Sequence, residues 1–159
     1  MIRLATLEDR DSLDEAYSKY LDHLLTPPDP ILLDYEKVAA SGQTYVIDNE
    51  GLICGMVTCT EEPKALVMRN LAVLPAHQCK GVGRRLATFV EEEALRRHRI
   101  QVRLWTRTEM EDNIRFYLRL GYDITHRELS KECSRVFLTK TLDVANVSGT
   151  EHSFREETP

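Results

Sequence analysis

The sequence lacks any apolar stretch near the ~20 residues that a helix needs to span a bilayer. Its amino terminus also lacks a basic segment followed by an apolar run. These absences predict a cytoplasmic protein without a membrane partner. Cysteine is scarce, with four among 159 residues, and no two are spaced like a close pair of metal ligands. We therefore expect free thiols and no bound metal.

Positive charge is not in excess either, because the chain has 21 Lys and Arg residues but 26 Asp and Glu residues, which gives a formal net charge of −5. Nucleic-acid binding depends on cations that meet phosphates, so this balance argues against a nucleic-acid partner. The length and a hydrophobic fraction of 42% suit one globular domain. Apolar residues become sparse near the end, which predicts one domain over residues 1–142 and a polar tail over residues 143–159.

The stretch over residues 66–98 changes from a strand pattern to a helix pattern within about one βα unit. Its first part predicts a buried strand that ends near Leu74, because Pro75 cannot donate to a strand ladder. From Val82 the apolar residues take helical spacing, so a helix is predicted to begin near Gly81.

The turn between this strand and this helix is Gln78-Cys79-Lys80-Gly81-Val82-Gly83. A helix start has N–H groups without partners at the positive end of its dipole, so it favours an anion. The chain instead places Lys80, Arg84 and Arg85 there, each unfavourable by roughly 0.3–1 kcal/mol. The two glycines let the backbone approach a ligand closely. The turn therefore predicts a phosphate or pyrophosphate site.

Two common phosphate motifs do not match this turn. The Walker pattern needs Lys followed by Ser or Thr after the last glycine, where this chain has Arg84 and Arg85. The dinucleotide fingerprint needs a third glycine where Leu86 stands. An ordinary glycine-containing connection with a basic helix start is the remaining structural alternative.

The turn does resemble the acyl-CoA loop of the GNAT superfamily of N-acetyltransferases. That loop reads Arg/Gln-x-x-Gly-x-Gly/Ala and follows a strand that reads Leu-Ala-Val-x-Pro. Leu71-Ala72-Val73-Leu74-Pro75 and the turn from Gln78 to Gly83 match both parts.

The remaining segments predict the element order βααβββαβαββ, which is also that of GNAT proteins. The predicted strands lie at residues 2–5, 45–48, 52–60, 66–74, 100–105, 122–129 and 133–140, and a second helix at 33–40. Thr6 and Thr108 each begin a capping-box pattern, Gly55 suggests a bulge, and Gly121 suggests a helix end. The resemblance implies an α+β GNAT fold. Its mixed central sheet has six or seven strands, flanking helices and a splay between the fourth and fifth strands.

A second segment, residues 111–122, resembles the family's segment of Asn, Tyr, Gly and Phe/Tyr. In relatives that Asn contacts the pantetheine arm or the cofactor backbone, and the Tyr hydroxyl lies at the thioester sulfur. The resemblance implies these roles for Asn113 and Tyr117. Taken singly, Asn113 would be expected to cap the helix and Tyr117 to fill the core.

The resemblance implies acetyl-CoA as acetyl donor and direct attack by the primary amine of a small molecule. The implied cofactor-binding residues are Leu71, Ala72, Val73, Gln78, Cys79, Lys80, Gly81, Val82, Gly83, Arg84, Asn113 and Tyr117, with Tyr117 also catalytic. The alternatives are a protein or peptide N-acetyltransferase, a non-catalytic acyl-CoA sensor, and a nucleotide-binding protein. The oligomeric state stays open, a homodimer included.

The general base is not identified by the sequence. Several family members place a glutamate on the fourth strand, but residues 66–73 contain no acid. An amine of pKa ~10.4 costs about 4–5 kcal/mol to present unprotonated at neutral pH, so a base or a water chain must take its proton. The nominal candidates are Asp34, Glu61, Glu62, His77 and Glu109. Relatives shape the acceptor pocket with segments near residues 24–35 and 122–133, which do not identify an acceptor.

Overall fold

The computed structural model describes residues 1–22, 43–130 and 134–143. Its strands are β1 (Ile2–Leu4), β2 (Thr44–Asn49), β3 (Leu52–Glu61), β4 (Ala65–Val73), β5 (Gln101–Arg107), β6 (Asp123–Glu128) and β7 (Arg135–Thr141). Its α-helices are α1 (Arg10–Asp22), α2 (Val82–Arg96) and α3 (Glu111–Arg119). The predicted helix at 33–40, and all but residue 143 of the predicted tail, lie outside the described residues. None of the helices described is both long and apolar enough to cross a membrane.

The seven described strands form one mixed sheet in the order β1-β2-β3-β4-β5-β7-β6. The pairing of β4 with β5 is parallel, with α2 as the crossover, and every other pairing is antiparallel. The predicted α+β fold with a mixed sheet is confirmed.

The strands β4 and β5 separate partway along their length. They pair from Ala65 to Met68 on β4, yet β4 continues to Val73 and β5 continues past Leu104 to Arg107. A register shift against β3 makes Arg69 an extra residue immediately after Met68. Such a bulge bends a strand and interrupts its ladder. The predicted splay between the fourth and fifth strands is therefore confirmed.

The two faces of the sheet carry separate apolar clusters. The larger cluster lies under α2 and α3, and the smaller one includes Leu13 of α1. Alternation along the strands sorts side chains between these faces, so that Met68 and Leu104 join the larger cluster and Ala72 joins the smaller one. The side of the sheet that a residue faces thus follows from its strand position.

Two of the three local predictions at helix ends hold. Asp9 accepts a hydrogen bond from the Thr6 N–H at 2.8 Å, and Gly121 has φ +86° after α3. The predicted capping box at Thr108 is wrong, because α3 begins at Glu111. Its N-cap, Met110, has no side-chain capping hydrogen bond.

Gly55 of β3 packs against the start of α2. The register shift between β2 and β3 makes Cys54 the extra residue, so the bulge expected at Gly55 lies one position earlier. A Cβ atom on Gly55 would lie 2.9 Å from the Ala72 carbonyl oxygen and 3.1 Å from Val82 Cγ1. The missing side chain therefore lets α2 begin close to the sheet.

We expect Gly55→Ala to destabilise the fold by about 1–3 kcal/mol, because the added methyl meets a backbone oxygen that cannot move alone. Thermal and urea unfolding would measure this change. Leu52→Ala, at a half-exposed position on the same strand, is the matched control. Equal stability of Gly55→Ala and the wild type would contradict the close packing of α2 on β3.

Candidate functional site

A cavity of about 720 Å³ lies between β4, the turn before α2, and α3. Nine of the twelve predicted cofactor-binding residues line it, namely Leu71, Val73, Gln78, Cys79, Gly81, Gly83, Arg84, Asn113 and Tyr117. Its strand wall is the part of β4 that lies beyond the pairing with β5. The splay, the turn and α3 therefore contribute to one site.

The turn before α2 is held in an unusual backbone conformation. Gln78 Nε2 donates to the Val73 carbonyl at 3.1 Å, which ties the turn to the end of β4. Cys79 has φ +56° and Gly81 has φ +82°. A positive φ is uncommon for a non-glycine residue such as Cys79, and such conformations concentrate at functional sites.

The start of α2 carries unpaired N–H groups and positive charge. The Arg85 N–H donates to the Gly81 carbonyl at 3.0 Å and is the first N–H of the helix to do so. The N–H groups of residues 82–84 therefore have no carbonyl acceptor within α2. Lys80, Arg84 and Arg85 are exposed, and no carboxylate of the described residues lies within 4.0 Å of them. The site therefore presents an electropositive end.

Gly83 is a point of close contact between α2, α3 and β4. A Cβ atom there would lie 3.4 Å from Phe116 Cζ and 3.7 Å from Val73 Cγ2. These are ordinary van der Waals distances, so an alanine fits but a larger side chain has to project into the cavity.

Tyr117 is buried, and its hydroxyl donates to Met68 Sδ at 3.7 Å. Because Met68 is the last β4 residue paired with β5, the Tyr117 hydroxyl lies where the two strands separate. Its ring also packs edge-on against Phe116 and Tyr122, with centroids 5.0 and 5.6 Å away. Tyr117 thus belongs both to the hydrophobic core and to the wall of the cavity.

Asn113 is half-buried on the cavity side of α3, and its Nδ2 lies 3.9 Å from Met110 Sδ. It does not cap α3, whose N-cap is Met110. The alternative of a capping role for Asn113 is therefore wrong.

Three predicted residues do not line the cavity. Ala72 faces the smaller apolar cluster on the other side of the sheet, because it alternates with Leu71 and Val73. Val82 is buried in the larger cluster, and Lys80 is exposed on the turn. The structure therefore does not place the side chains of Lys80, Ala72 and Val82 in the cavity wall.

The nominal bases are engaged elsewhere or lie away from the cavity. Glu61 bonds Arg97 and Arg99 at 2.6 and 3.0 Å, and the hydrogen bond from Arg97 above all lowers its pKa. The partners of the others are Arg103 for Glu62, Arg107 for Glu109 and Cys54 for His77, whereas Asp34 lies outside the described residues. None of the four described candidates lines the cavity.

Four cavity residues in α3 or directly after it were not predicted, and they are Asp112, Phe116, Arg119 and Leu120. Phe116 and Leu120 follow Asn113 by three and seven residues, and Asp112 and Arg119 lie four residues before and three after Phe116, so these positions fall on one side of the helix. Helical spacing counted from Asn113 and then from Phe116 was the signal that would have found them. Arg119 adds a second cation to the cavity beside Arg84.

Three of the four cysteines fall within the described residues, and all three are free thiols, as expected. Cys54 and Cys59 are buried, and burial raises the pKa of Cys59 to about 12. Cys79 is exposed on the turn. Over residues 1–22, 43–130 and 134–143, no three His, Cys, Asp or Glu side chains form a group that could hold a metal ion.

Several solved structures share this fold. The yncA protein of Salmonella typhimurium, with its cofactor acetyl-CoA, is 20% identical with a TM-score of 0.73, covering 99% of this chain and 98% of its own. The ribosomal-protein-S18-alanine N-acetyltransferase of Escherichia coli is 18% identical with a TM-score of 0.71, covering 89% and 93%. Naa50 of Arabidopsis thaliana, in complex with the bisubstrate analogue CoA-Ac-MVNAL, is 20% identical with a TM-score of 0.70, covering 89% and 98%.

A comparison with curated proteins finds no match. The family model described as the acetyltransferase (GNAT) family matches residues 10–122, which is more than half of the chain. That match includes β4, the turn, α2 and α3, the elements that build the cavity. The chain therefore belongs to the GNAT family of acetyltransferases.

Proposed function

We propose that this protein is an N-acetyltransferase that moves an acetyl group from acetyl-CoA to a primary amine of a small molecule. The amine attacks the thioester directly, without a covalent enzyme intermediate. One observation carries the proposal: a single cavity joins an electropositive helix start, an unpaired strand edge and the Tyr117 hydroxyl. These are the three features that a phosphate-bearing thioester requires.

The residues of the cavity fit acetyl-CoA. A volume of about 720 Å³ suits a cofactor-sized ligand. The N–H groups at the start of α2, with Arg84 and Lys80 nearby, would hold the pyrophosphate. Bound acetyl-CoA supplies the activated acetyl thioester.

Beyond the proposed phosphate site, the cavity presents the edge of β4 and the Tyr117 hydroxyl to the rest of the cofactor. Beyond Met68, the edge of β4 that faces β5 pairs with none of the described strands, so its backbone groups would bind the pantetheine amides as an added strand would. Asn113 adds a side-chain amide beside this edge. The Tyr117 hydroxyl would donate a hydrogen bond to the departing sulfur.

A hydrogen bond from Tyr117 is enough for this role. A phenol of pKa ~10 is a weaker acid than a thiol of pKa ~8.5, so full proton transfer to the thiolate is uphill by about 2 kcal/mol. Stabilisation of negative charge on sulfur, rather than protonation, is therefore the task that we propose for Tyr117.

Peptide or protein N-acetylation is the second candidate, because two of the similar structures are a ribosomal-protein acetyltransferase and a complex with a peptide bisubstrate analogue. The release of CoA thiol from acetyl-CoA would be measured with polyamines, amino acids, aminoglycosides and peptides. Turnover with small amines supports the proposal, and turnover with peptides alone supports the second candidate. CoA binding without turnover on any acceptor indicates a sensor module.

Gly83→Asp should nearly abolish CoA binding, because it places a carboxylate where the pyrophosphate should lie. Isothermal titration calorimetry would measure the affinity. Gly83→Ala is the matched control, since a Cβ atom fits at van der Waals distance. Unchanged affinity in a folded Gly83→Asp protein would show that the phosphate site is wrongly assigned.

Cys79 should react faster with thiol reagents than Cys54 or Cys59, because it is exposed at a helix start beside Lys80. Bound CoA should slow its labelling. Mass spectrometry of labelled peptides, with and without CoA, would measure both effects. Equal rates at all three thiols, or no protection by CoA, would argue against the turn as the cofactor site.

Tyr117→Phe keeps the ring packing and removes the hydroxyl, so kcat should fall by roughly 10–10³-fold while CoA affinity changes little. Steady-state kinetics and calorimetry would separate the two. Tyr122→Phe, also a buried tyrosine of the same aromatic cluster, is the control. A Tyr117→Phe protein with full kcat and a sharply lower Tm would make Tyr117 a packing residue.

A further inference from the structure

The cofactor site carries more positive charge than a pyrophosphate alone requires. The start of α2 already offers its free N–H groups, and Lys80, Arg84 and Arg85 lie beside them. A pyrophosphate linkage has one negative charge on each of its two phosphates, so these groups suffice to hold it. Arg119 of α3 is a further cation, and it lines the same cavity as Arg84.

The two arginines of α3 differ in their surroundings. Arg115 is exposed, does not line the cavity, and pairs with Asp112 at 3.2 Å and with Glu111 at 3.4 Å. Arg119 lines the cavity from the last turn of the helix. Within the residues that the structure describes, no carboxylate lies within 4.0 Å of its guanidinium. Arg119 is therefore the arginine of α3 that is available to a ligand in the cavity.

The packing of α3 on α2 sets the position of Arg119 relative to the phosphate turn. A Cβ atom on Gly83 would lie 3.4 Å from Phe116 Cζ, so Phe116 is level with the first turn of α2. Arg119 follows Phe116 by three residues, which keeps it on the same side of α3 and about 4.5 Å further along the helix axis. An arginine side chain can span this distance. The guanidinium is thus within reach of a group attached next to the pyrophosphate.

The two ends of α3 present opposite charges to the cavity. Asp112 brings a carboxylate in the first turn, and Arg119 brings a cation in the last turn. Seven residues of helix separate them by roughly 10 Å along the axis. A further phosphate group is therefore repelled at the Asp112 end and attracted at the Arg119 end.

Coenzyme A carries such a group, a phosphate monoester on the 3′ position of the ribose that also bears the pyrophosphate. A phosphate monoester has a charge of about −1.5 to −2 at pH 7 and accepts hydrogen bonds through three oxygens. A guanidinium binds it through paired, charge-assisted hydrogen bonds. Arg119 has the chemistry, the position and the free donors that this third phosphate requires.

We propose, building on the acetyl-CoA binding proposed above, that Arg119 binds the 3′-phosphate and makes the protein selective for CoA over 3′-dephospho-CoA. The pyrophosphate is held by the start of α2 and by Arg84, and the monoester is held by α3. Recognition of the donor is thereby divided between the two helices that pack together at Gly83 and Phe116.

The experiment compares CoA with 3′-dephospho-CoA, which differ only in the 3′-phosphate, by isothermal titration calorimetry. We expect the wild type to bind CoA about tenfold to a hundredfold more tightly, the range for hydrogen bonds to charged groups. Arg119→Gln should weaken CoA binding, leave the Kd for 3′-dephospho-CoA unchanged, and so bring the ratio of the two Kd values close to one. Arg119→Lys keeps the charge and should retain part of the ratio.

Arg115→Gln is the matched control, because Arg115 lies on the same helix but is paired with Glu111 and Asp112 outside the cavity lining. It should keep the wild-type ratio. Equal affinity of the wild type for CoA and 3′-dephospho-CoA would overturn the proposal without any variant.

Two results with a folded Arg119→Gln protein would also overturn it. Equal weakening of both ligands would place Arg119 at the pyrophosphate instead. A wild-type ratio with a lower Tm would make Arg119 a residue that only complements the dipole at the end of α3.

The two proposals fail in different ways. Equal binding of CoA and 3′-dephospho-CoA, with CoA-thiol release from acetyl-CoA, would remove the 3′-phosphate site and leave the acetyl transfer in place. Absence of binding by both ligands would remove the acetyl transfer itself, and with it the role of Arg119.

Discussion

The separation of β4 from β5 after Met68 is the constraint on which the site depends. Buried backbone N–H and C=O groups need hydrogen-bond partners, and a strand that loses its neighbour must find them elsewhere. The Arg69 bulge produces this situation in mid-sheet, where β3 still holds the opposite edge of β4. The result is a strand edge that no described strand covers, and a ligand with amide groups could pair with it, as proposed for the pantetheine arm.

The position of α2 follows from two places where a side chain is missing. Gly55 lets the helix start close to the sheet, and Gly83 lets Phe116 of α3 close over it. These contacts hold the first turn of α2 beside the open edge of β4. Lys80, Arg84 and Arg85 are unfavourable at this end of the helix dipole, which supports the proposal that an anionic ligand, rather than helix stability, accounts for their placement.

The sequence predicted the parts of the site that local chemistry determines. Pro75 and Gly81 bound the turn before α2, so the end of β4 and the start of α2 were predicted within about one residue. The capping box at Thr108 failed for a tertiary reason, since the Thr108 N–H donates to the Ser134 carbonyl at 3.0 Å. This bond extends the pairing of the β5 and β7 segments beyond the ends of the two strands. Thr108 is therefore part of that pairing, and α3 begins only at Glu111.

Features that depend on strand partners could not be predicted in this way. The Arg69 bulge exists only in the register of β4 against β3, and Arg135 meets Trp105 only because β7 inserts beside β5. Neither relation leaves a trace in the spacing of residues along the chain. The cavity residues of α3 and its end differ, because Phe116 and Leu120 follow Asn113 at helical spacing and were within reach of pattern analysis.

Positive charge lies on both sides of the splay, with Arg84 and Arg119 in the cavity and Arg69 and Arg135 across the sheet. Glu61 and Glu62, which precede β4, are held in ion pairs with Arg97, Arg99 and Arg103, so they offset little of this charge. Asp112 also lines the cavity, but the two arginines there give it an excess of positive charge, which favours a ligand that carries negative charge.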